Sequence, residues 1–337
     1  MAQLPQPRGE VSESVLDSLA GEPRELDPVR VDSAEPLVDE DVQLALYVCY
    51  ELAYRGFDGV DPGWEWNPSL IGLRAQLESR FEAGLHEAIG SPQSRIVDPE
   101  RMDIALRKIA ESDDGPSLSQ YVEREATEEQ IREFVIHRSA YQLKEADPHT
   151  WAIPRMSGAP KAAIVEVQAD EYGGGRPERI HAQLFADAMD ALGLDSAYGA
   201  YLDRIPAVTL ATVNLMSLFG LHRRLLGAIV GHLALFEMTS SIPNRRYGDG
   251  LRRLGYEGAA TEFFDEHVLA DAVHENIAAV DLAGGLARQH PDLSSQILWG
   301  ARALVFCDGR WAAHLLEAWE SGRSSLLPGP SARALAA

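Results

Sequence analysis

Two histidines and an aspartate late in the chain have the types and spacing of metal ligands. They are His267, Asp271 and His274, which form a His-x3-Asp-x2-His pattern. On a helix, positions i, i+4 and i+7 lie on one face, so the two imidazoles and the carboxylate point the same way. Imidazole nitrogen and carboxylate oxygen suit first-row metals such as iron, manganese or zinc. The alternative is a polar stripe that faces solvent. Further ligand-type residues elsewhere in the chain would favour the metal site.

Glu237 is a second candidate, because the sequence around it is almost entirely apolar. Between Leu225 and Asn244 it is the only formally charged side chain. A helix that is apolar nearly all round is buried, and an ionised carboxylate in a core is costly unless it is paired or binds a metal. A surface position or a salt bridge to a nearby arginine is the alternative. His232, about 140° round the same helix, is expected to be a hydrogen-bonded core histidine.

A third cluster joins two glutamates to a histidine across a glycine-rich segment. His181 follows Glu171 by ten residues and Glu178 by three, so an undistorted helix would bring either carboxylate near it. Gly173–Gly175 and Pro177 are expected to distort or break that helix. A costly irregularity beside ionisable residues is a functional hint. A loop with an acidic rim is the alternative.

The order of these candidates along the chain is typical of proteins that hold two irons between helices. A carboxylate at 171 or 178 is followed by His181, then by Glu237, and then by the pattern at 267–274. Helical bundles with two irons use carboxylates from facing helices, with a histidine for each metal. The combination, more than any one part, therefore predicts a buried metal centre.

Composition limits the classes of partner and compartment. The chain has 337 residues, 45% hydrophobic and 24% charged, which is enough for one large domain or two small ones. Its net charge of −22 argues against nucleic acid or an anionic membrane surface as a partner. Cys49 and Cys307 are too far apart in sequence to indicate a zinc site or a disulfide framework. The chain opens without a signal-peptide pattern, and His222–Arg224 interrupts its most apolar region, so we expect a cytoplasmic protein without a membrane span.

Helical patterns dominate between two segments that are predicted to be flexible tails. Residues 1–36 are acidic, rich in proline and show little periodicity, and residues 323–337 also show little periodicity. Residues 37–322 are therefore predicted to form a single domain. The fold class is therefore all-α. The local signals are helices over 39–55 and 70–89, helix starts at Asp98–Glu100 and Thr127–Gln130, helix interruptions at Pro160, Pro206 and Ser241–Asn244, and extended chain at Thr150–Pro154.

The chain also resembles a known group, the haem-oxygenase-like diiron oxidases and oxygenases, often labelled iron-containing redox enzymes. The resemblance covers about residues 40–320. It is carried by Glu171 with His181, by Glu237 within Gly231–Thr239, by the pattern at 267–274, and by the words Glu51–Phe57 and Trp64–Trp66. It implies a haem-oxygenase-like bundle of about seven core helices that binds two irons instead of haem and reduces O2. Members that oxygenate amine nitrogens carry a further glutamate on an earlier helix, and Glu145 lies at about the matching distance.

The function implied by this resemblance is that of an O2-activating non-haem diiron oxidase or oxygenase. Its substrate would be a small polar molecule such as an amine or amino acid, with N-oxygenation as one option, and it would need an electron donor. The implied ligands of the two Fe(II) ions are Glu171, His181, Glu237, His267, Asp271 and His274, with Glu145 as a further candidate. Substrate contacts are expected among Arg155, Arg245, Arg246 and Tyr247. The oligomeric state stays open, with a homodimer among the options.

Three alternatives stay open at this point. One is a ferritin-like diiron carboxylate protein with the ligands Glu145, Glu178, His181, Glu237, Asp271 and His274. That pattern leaves His267 unused, so we prefer Glu171 to Glu178. The second is a metal-free helical binding or regulatory protein, in which these side chains form core hydrogen bonds. The third is a haem-degrading enzyme of the same fold, which needs one axial histidine in an apolar pocket; Glu237 and Asp271 argue against it.

Overall fold

Helices are the dominant secondary structure in the residues that the structure, a computed structural model, describes. These are residues 2–93, 97–112 and 115–329, with only the backbone described at 271 and 272. They contain no β-strand, and their single isolated β-bridge joins Ala2 to Phe57. The predicted all-α class is confirmed.

The α-helices of the described chain are α1 (Glu10–Leu19), α2 (Glu40–Glu51), α3 (Pro68–Ile89), α4 (Met102–Glu111), α5 (Leu118–Arg124), α6 (Glu128–Gln142), α7 (Asp147–Thr150), α8 (Gly158–Glu171), α9 (His181–Ala191), α10 (Ala207–Leu221), α11 (Leu226–Arg253), α12 (Ala259–Asn276), α13 (Gly285–Gln289) and α14 (Ser294–Glu320). A π-helical segment, Ile277–Gly284, joins α12 to α13. Short 3₁₀ turns are Pro62–Trp66, Pro99–Arg101, Ile153–Arg155, Gly173–Gly175, Pro177–Arg179, Arg223–Leu225 and Pro291–Leu293.

The described residues form two compact units. The smaller takes the described residues within 1–90, 197–214 and 326–337, and the larger takes those within 91–196 and 215–325. The range 37–322, for which the sequence predicts a single domain, is thus divided between them. Every residue proposed above as a metal ligand belongs to the larger unit.

The first 36 residues, predicted to be a flexible tail, contain a helix. Val15 and Leu19 of α1 are completely buried, and Val11 on the same face is nearly so. Apolar residues at this four-residue spacing cover one face of a helix. The carboxylate of Asp41 accepts a hydrogen bond from the backbone N–H of Val11 at 2.9 Å. The expectation of a tail is therefore corrected, because the prolines flank this helix instead of preventing it.

The predicted C-terminal tail packs against the protein where it is described. The Ser325 hydroxyl donates to the carboxylate of Glu133 at 2.6 Å and lies 3.0 Å from Nε2 of His137. These contacts tie residue 325 to α6. Residues 330–337 of the predicted tail lie outside the described residues.

Local sequence signals set the ends of the helices that carry the candidate ligands. Thr127 and Gln130 form the predicted capping box at the start of α6, with the Thr127 N–H donating to Oε1 of Gln130 at 2.9 Å. Helix α8 ends at Glu171 and α9 begins at His181. Gly173 between them has φ 71°, and a Cβ there would lie 2.7 Å from the backbone of Arg179. The glycine-rich segment therefore breaks the helix, as predicted.

Helix α11 lies in the core of the larger unit, and its backbone closely approaches that of α14. Its residues from Leu226 to Leu235 are all buried. A Cβ on Gly231 would lie 1.8 Å from the carbonyl oxygen of Ile297, and one on Gly300 would lie 2.1 Å from that of Ala228. Only glycine allows this approach. The same half of α11 carries Glu237.

Two predicted features of the chain are wrong. Ser241–Asn244 was expected to end a helix, but α11 runs through Pro243. Proline inside a helix costs about 3 kcal/mol, which the packing of α11 against α12 and α14 outweighs. Thr150–Pro154 was expected to be extended, but the end of α7 and a 3₁₀ turn occupy it. Extended chain needs a pairing partner for its backbone groups, and the described residues offer no strand.

One helical stretch, Arg223–Arg253, is long and apolar enough by composition to cross a membrane. However, 67% of its most apolar window is buried inside the protein. Among the residues that the structure describes, most of this window is therefore packed inside the protein.

Candidate metal centre

Two overlapping groups of buried carboxylates and imidazoles lie inside the larger unit. The four-residue group consists of Glu145, Glu171, His181 and His267, and the three-residue group consists of Glu171, Glu237 and His274. Within each group, one nitrogen or oxygen atom of every member lies within 4.8 Å of those of all the others. All six side chains are buried, the most exposed of them at 6%. Because Glu171 belongs to both groups, the two form a single centre.

The four-residue group has the spacing of ligands around one metal ion. His181 Nδ1 lies 3.0 Å from Glu171 Oε2, and His267 Nε2 lies 3.5 Å from Glu145 Oε1. The His181 and His267 rings have centroids 4.4 Å apart. Two ligands at right angles, each about 2.1 Å from a first-row metal, are about 3.0 Å apart. The short contact between His181 and Glu171 lacks the geometry of a hydrogen bond, which suits two lone pairs directed at a common point.

Glu145 is held in the centre by an unusual backbone conformation. Its side chain is only 5% exposed. The next residue, Ala146, has φ 73° and ψ −32°, a sparsely populated conformation that costs a non-glycine residue about 1–3 kcal/mol. Gln168 donates to the Ala146 carbonyl at 3.0 Å, and Gln142 donates to Glu145 Oε1 at 3.2 Å. Strain of this kind often marks functional sites.

Hydrogen bonds orient two of the imidazoles. His267 Nδ1 donates to the Phe263 carbonyl at 2.8 Å, which leaves Nε2 with a lone pair on the side of Glu145. His274 Nδ1 lies 3.3 Å from Glu237 Oε2, and its Nε2 lies 3.0 Å from Asp170 Oδ2. A carboxylate on the far nitrogen is a common way to position a metal-binding histidine. Sequence reasoning missed Asp170, although it directly precedes Glu171.

The charges of these groups compensate one another when no cation is present. Burial raises the pKa of Glu171, but His181, His267 and His274 outweigh it and hold that pKa below its usual range. Burial lowers the pKa of His274, while contacts with Glu237 and Asp170 raise it to about 9. Burial lowers the pKa of His181, whereas Glu171 and Glu145 raise it above its usual value. His181 and His274 therefore tend to take up protons that neutralise the buried carboxylates. A divalent cation would displace those protons.

The donor set fits iron. Four buried atoms of the two groups have no hydrogen-bond partner among the described residues, namely Oε2 of Glu145, Oε2 of Glu171, Nδ1 of His181 and Nδ1 of His274. An unsatisfied buried polar group costs about 1–3 kcal/mol, which calls for an explanation. Mixed carboxylate and imidazole donors suit first-row metals, iron among them. A metal ion that these atoms share would satisfy them together.

Other predicted site residues lie apart from the two groups. Glu178 is exposed in the turn that Pro177 begins, and it belongs to neither group. Asp271 lies on α12 between the two histidines, but its side chain is outside the described residues. Arg155 donates to the carbonyls of Gly220 and Leu221 at the end of α10, the latter at 2.9 Å. Arg155 is thus engaged in a helix cap and not directed at the centre.

A cavity of about 480 Å³ reaches His267. Arg246 and Tyr247, two of the four predicted substrate residues, line it, whereas Arg155 and the exposed Arg245 do not. Phe236 and Phe263 form its wall next to His267. Its volume lies in the usual range for small-molecule sites, about 300–1,000 Å³.

Two further buried histidines lie close to the centre. His149 borders the small space enclosed by Glu145, Glu171 and His267, and its Nε2 lies 3.1 Å from Nδ1 of His232. Burial lowers the pKa of both rings, that of His149 to about 4. His232 is thus a hydrogen-bonded core histidine, as predicted. The identity of its partner, His149, could not be predicted from local sequence, because the two histidines are 83 positions apart.

Comparison with known proteins points to the same chemistry. A family model described as "iron-containing redox enzyme" matches residues 132–309, which include all the candidate ligands. The chain is also similar to a nitrosourea synthase from Streptomyces achromogenes subsp. streptozoticus, with 28% identity over 152 residues. The similar region is 44% of this chain but 32% of the relative, so the chain matches only part of that protein.

Proposed function

This chain belongs to the iron-containing redox enzyme family and is an oxidoreductase with an all-α, haem-oxygenase-like fold; on that basis we propose that it is a non-haem diiron oxidase or oxygenase. The observation that carries the proposal is the position of Glu171 in both groups of buried ligand-type side chains. The four-residue group would hold one Fe(II) ion and the three-residue group the other, with Glu171 shared and Asp271 as a further ligand. Carboxylates and imidazoles from several helices are the usual ligands of such centres.

The bound irons would supply the electrons that reduce O2, and the chain would supply the surroundings. Asp170 and the Phe263 carbonyl keep the imidazoles of His274 and His267 oriented through their outer nitrogens. Phe236 and Phe263 give the cavity an apolar wall beside His267, which would limit the access of water to that side of the centre. The irons must be reduced again after each reaction. We therefore propose that the protein has an electron donor as a partner.

The proposed substrate is a small polar molecule such as an amine or amino acid, with O2 as co-substrate. The cavity beside His267 has room for it, and Arg246 and Tyr247 offer polar contacts there. A nitrosourea contains an oxidised nitrogen, so the name of the relative favours chemistry at nitrogen. N-oxygenation is therefore the reaction that we propose first.

Iron stoichiometry in single variants tests the shared position of Glu171. Wild-type protein loaded anaerobically should hold about two Fe(II) ions per chain. Glu171→Ala should lose both ions, whereas His181→Ala and His274→Ala should each lose about one, because each histidine belongs to a single group. The measurement is metal content by mass spectrometry after gel filtration, with Mössbauer spectra to report coupling between the irons.

Glu178→Ala is the matched control, since this exposed glutamate is the ligand that a ferritin-like arrangement requires. We expect it to keep full iron content. Loss of iron in Glu178→Ala together with retention in Glu171→Ala would favour the ferritin-like alternative. Wild-type protein that binds no iron would favour the metal-free alternative.

A further inference from the structure

We propose that the cavity beside His267 binds a small amphipathic carboxylate, with the carboxylate on Arg138 and Arg246 and the apolar body directed toward His267. That this ligand is the substrate rests on the proposed function. The binding itself needs no metal. Arg138 was not among the substrate residues predicted from the sequence.

The two arginines line the cavity from different helices. Arg138 on α6 places its guanidinium carbon 4.2 Å from the ring centroid of Trp311. Arg246 on α11 donates to the hydroxyl oxygens of Ser117 at 3.4 Å and Ser119 at 3.2 Å. Neither arginine forms a salt bridge within the described part of the chain. A guanidinium has five N–H donors in a planar fork that matches a carboxylate, so donors remain for a ligand.

Contact between Phe134 and Tyr247 brings the helix segments that carry the two arginines to the same part of the cavity wall. The two ring centroids are 4.5 Å apart, and both rings line the cavity. Phe134 lies one helical turn before Arg138 on α6, and Tyr247 directly follows Arg246 on α11. Burial raises the pKa of the Tyr247 hydroxyl, Asp308 raises it further, and the charges of Arg138 and Arg246 lower it.

The charge of the cavity wall also favours an anion. Among the described residues that line the cavity, and apart from histidine, the charged ones are Arg138, Arg246 and Asp308, so positive side chains outnumber negative ones there. The chain as a whole has a net charge of −22. A local excess of positive charge in an acidic protein attracts anionic ligands to that place and not to the general surface.

An aromatic wall separates the arginines from the candidate metal centre. Each ring in the series contacts the next, with centroid separations between 4.3 and 6.0 Å, in the order Trp311, Phe134, Tyr247, Phe264, Phe263 and His267. A ligand that reaches from the arginines to His267 must lie along this wall. The part of the ligand that lies along this wall is therefore apolar or aromatic, and its carboxylate is at the end away from His267. Where the ligand is the substrate of the proposed reaction, its nitrogen would be at the end that reaches His267.

The test compares 3-phenylpropionate with its neutral amide, 3-phenylpropionamide, by calorimetric titration of the full-length chain. Titrations are run with and without Fe(II) under anaerobic conditions. We expect the acid to bind about tenfold more tightly than the amide in both states, because a charge-assisted hydrogen bond adds at least one factor of ten. Arg138→Gln and Arg246→Gln should each weaken acid binding about tenfold and leave amide binding unchanged.

Arg245→Gln is the matched control, because Arg245 precedes Arg246 but is exposed and does not line the cavity. It should bind the acid like the wild type. Arg138→Lys keeps the charge, so it should retain the preference for the acid even if the packing on Trp311 is weakened. Equal binding of acid and amide, no binding of either, or unchanged acid binding in both glutamine variants would overturn the proposal.

Measuring iron content shows whether the carboxylate-binding proposal or the diiron proposal has failed. Arg138→Gln and Arg246→Gln should load iron like the wild type, since neither residue belongs to the ligand groups. Failure of carboxylate binding with full iron loading would leave the diiron proposal standing. Carboxylate binding by a chain that holds no iron would overturn only the diiron proposal.

Discussion

At the scale of single residues, Asp170 connects the surface to the buried centre. Its side chain is 63% exposed, yet its Oδ2 lies 3.0 Å from Nε2 of a completely buried His274. An exposed ion pair adds little to stability. Its effect should instead be on the ligand, since a carboxylate at the outer nitrogen fixes the ring and makes the inner nitrogen more basic.

Asp170→Asn should therefore weaken iron binding more than folding. We expect the affinity of the three-residue group for Fe(II) to fall about tenfold, with little change in the thermal unfolding temperature of the metal-free chain. Competition titration with a chelator measures the affinity. Glu166→Gln, an exposed carboxylate on the same helix, should leave it unchanged. Wild-type iron affinity in Asp170→Asn would show that the ring of His274 needs no such support.

At the scale of helices, the position of Glu237 depends on glycines in α11 and α14. Gly231 and Gly300 let the two backbones touch, since a Cβ on either would lie about 2 Å from a carbonyl oxygen of the other helix. This contact buries the half of α11 that carries Glu237. The same packing keeps α11 continuous through Pro243, against the local preference of that residue.

Gly231→Ala should destabilise the protein by at least about 2 kcal/mol, because the added methyl group meets backbone that cannot rotate away. Gly309→Ala is the matched control, since Gly309 lies in α14 and a Cβ there meets nothing within 4 Å. It should stabilise the helix by up to about 1 kcal/mol. Urea denaturation followed by circular dichroism gives both free energies of unfolding. Equal effects of the two substitutions would contradict the close approach of α11 and α14.

At the scale of the whole molecule, buried neutral histidines make stability depend on pH. Burial lowers the pKa of His137, His149 and His232 from the usual 6.5. Below pH 6.5 the unfolded chain takes up protons at these rings and the folded chain does not, so stability falls as pH falls. His274 acts in the other direction: its pKa is raised to about 9, so the stability it adds is lost as pH rises from 6.5 to about 9.

The metal-free protein should thus lose stability on mild acidification. Between pH 6.5 and 5.5, each of the three neutral rings contributes a loss of about 1 kcal/mol, or about 3 kcal/mol together. Free energies of unfolding in urea at the two pH values measure the loss. His137→Gln should reduce it by about a third, because one titrating ring is absent. An unchanged stability across this range would show that the three rings are protonated as readily in the folded chain as in the unfolded one.

Local sequence determined the helices and the set of candidate ligands. The caps at Asp98 and Thr127 and the break at Gly173 act on neighbouring residues, so they can be read from a short stretch of chain. The same holds for the apolar stretch around Glu237, whose burial follows from its own neighbours. The helix in the first 36 residues has only a short apolar pattern, Val11, Val15 and Leu19, between prolines that are typical of flexible chain, so its burial depends on the rest of the fold.

Tertiary structure alone decided which of those candidates lie together. Glu171 and Glu178 are both close to His181 in sequence, but only the backbone path through three glycines and a proline turns one inward and leaves the other exposed. The approach of Glu145 to His267 depends on how segments more than a hundred residues apart pack, and so does the position of Arg138 and Arg246 on one cavity wall. Chemical type and periodicity are local properties of a chain, whereas the distance between remote side chains is set by the whole fold.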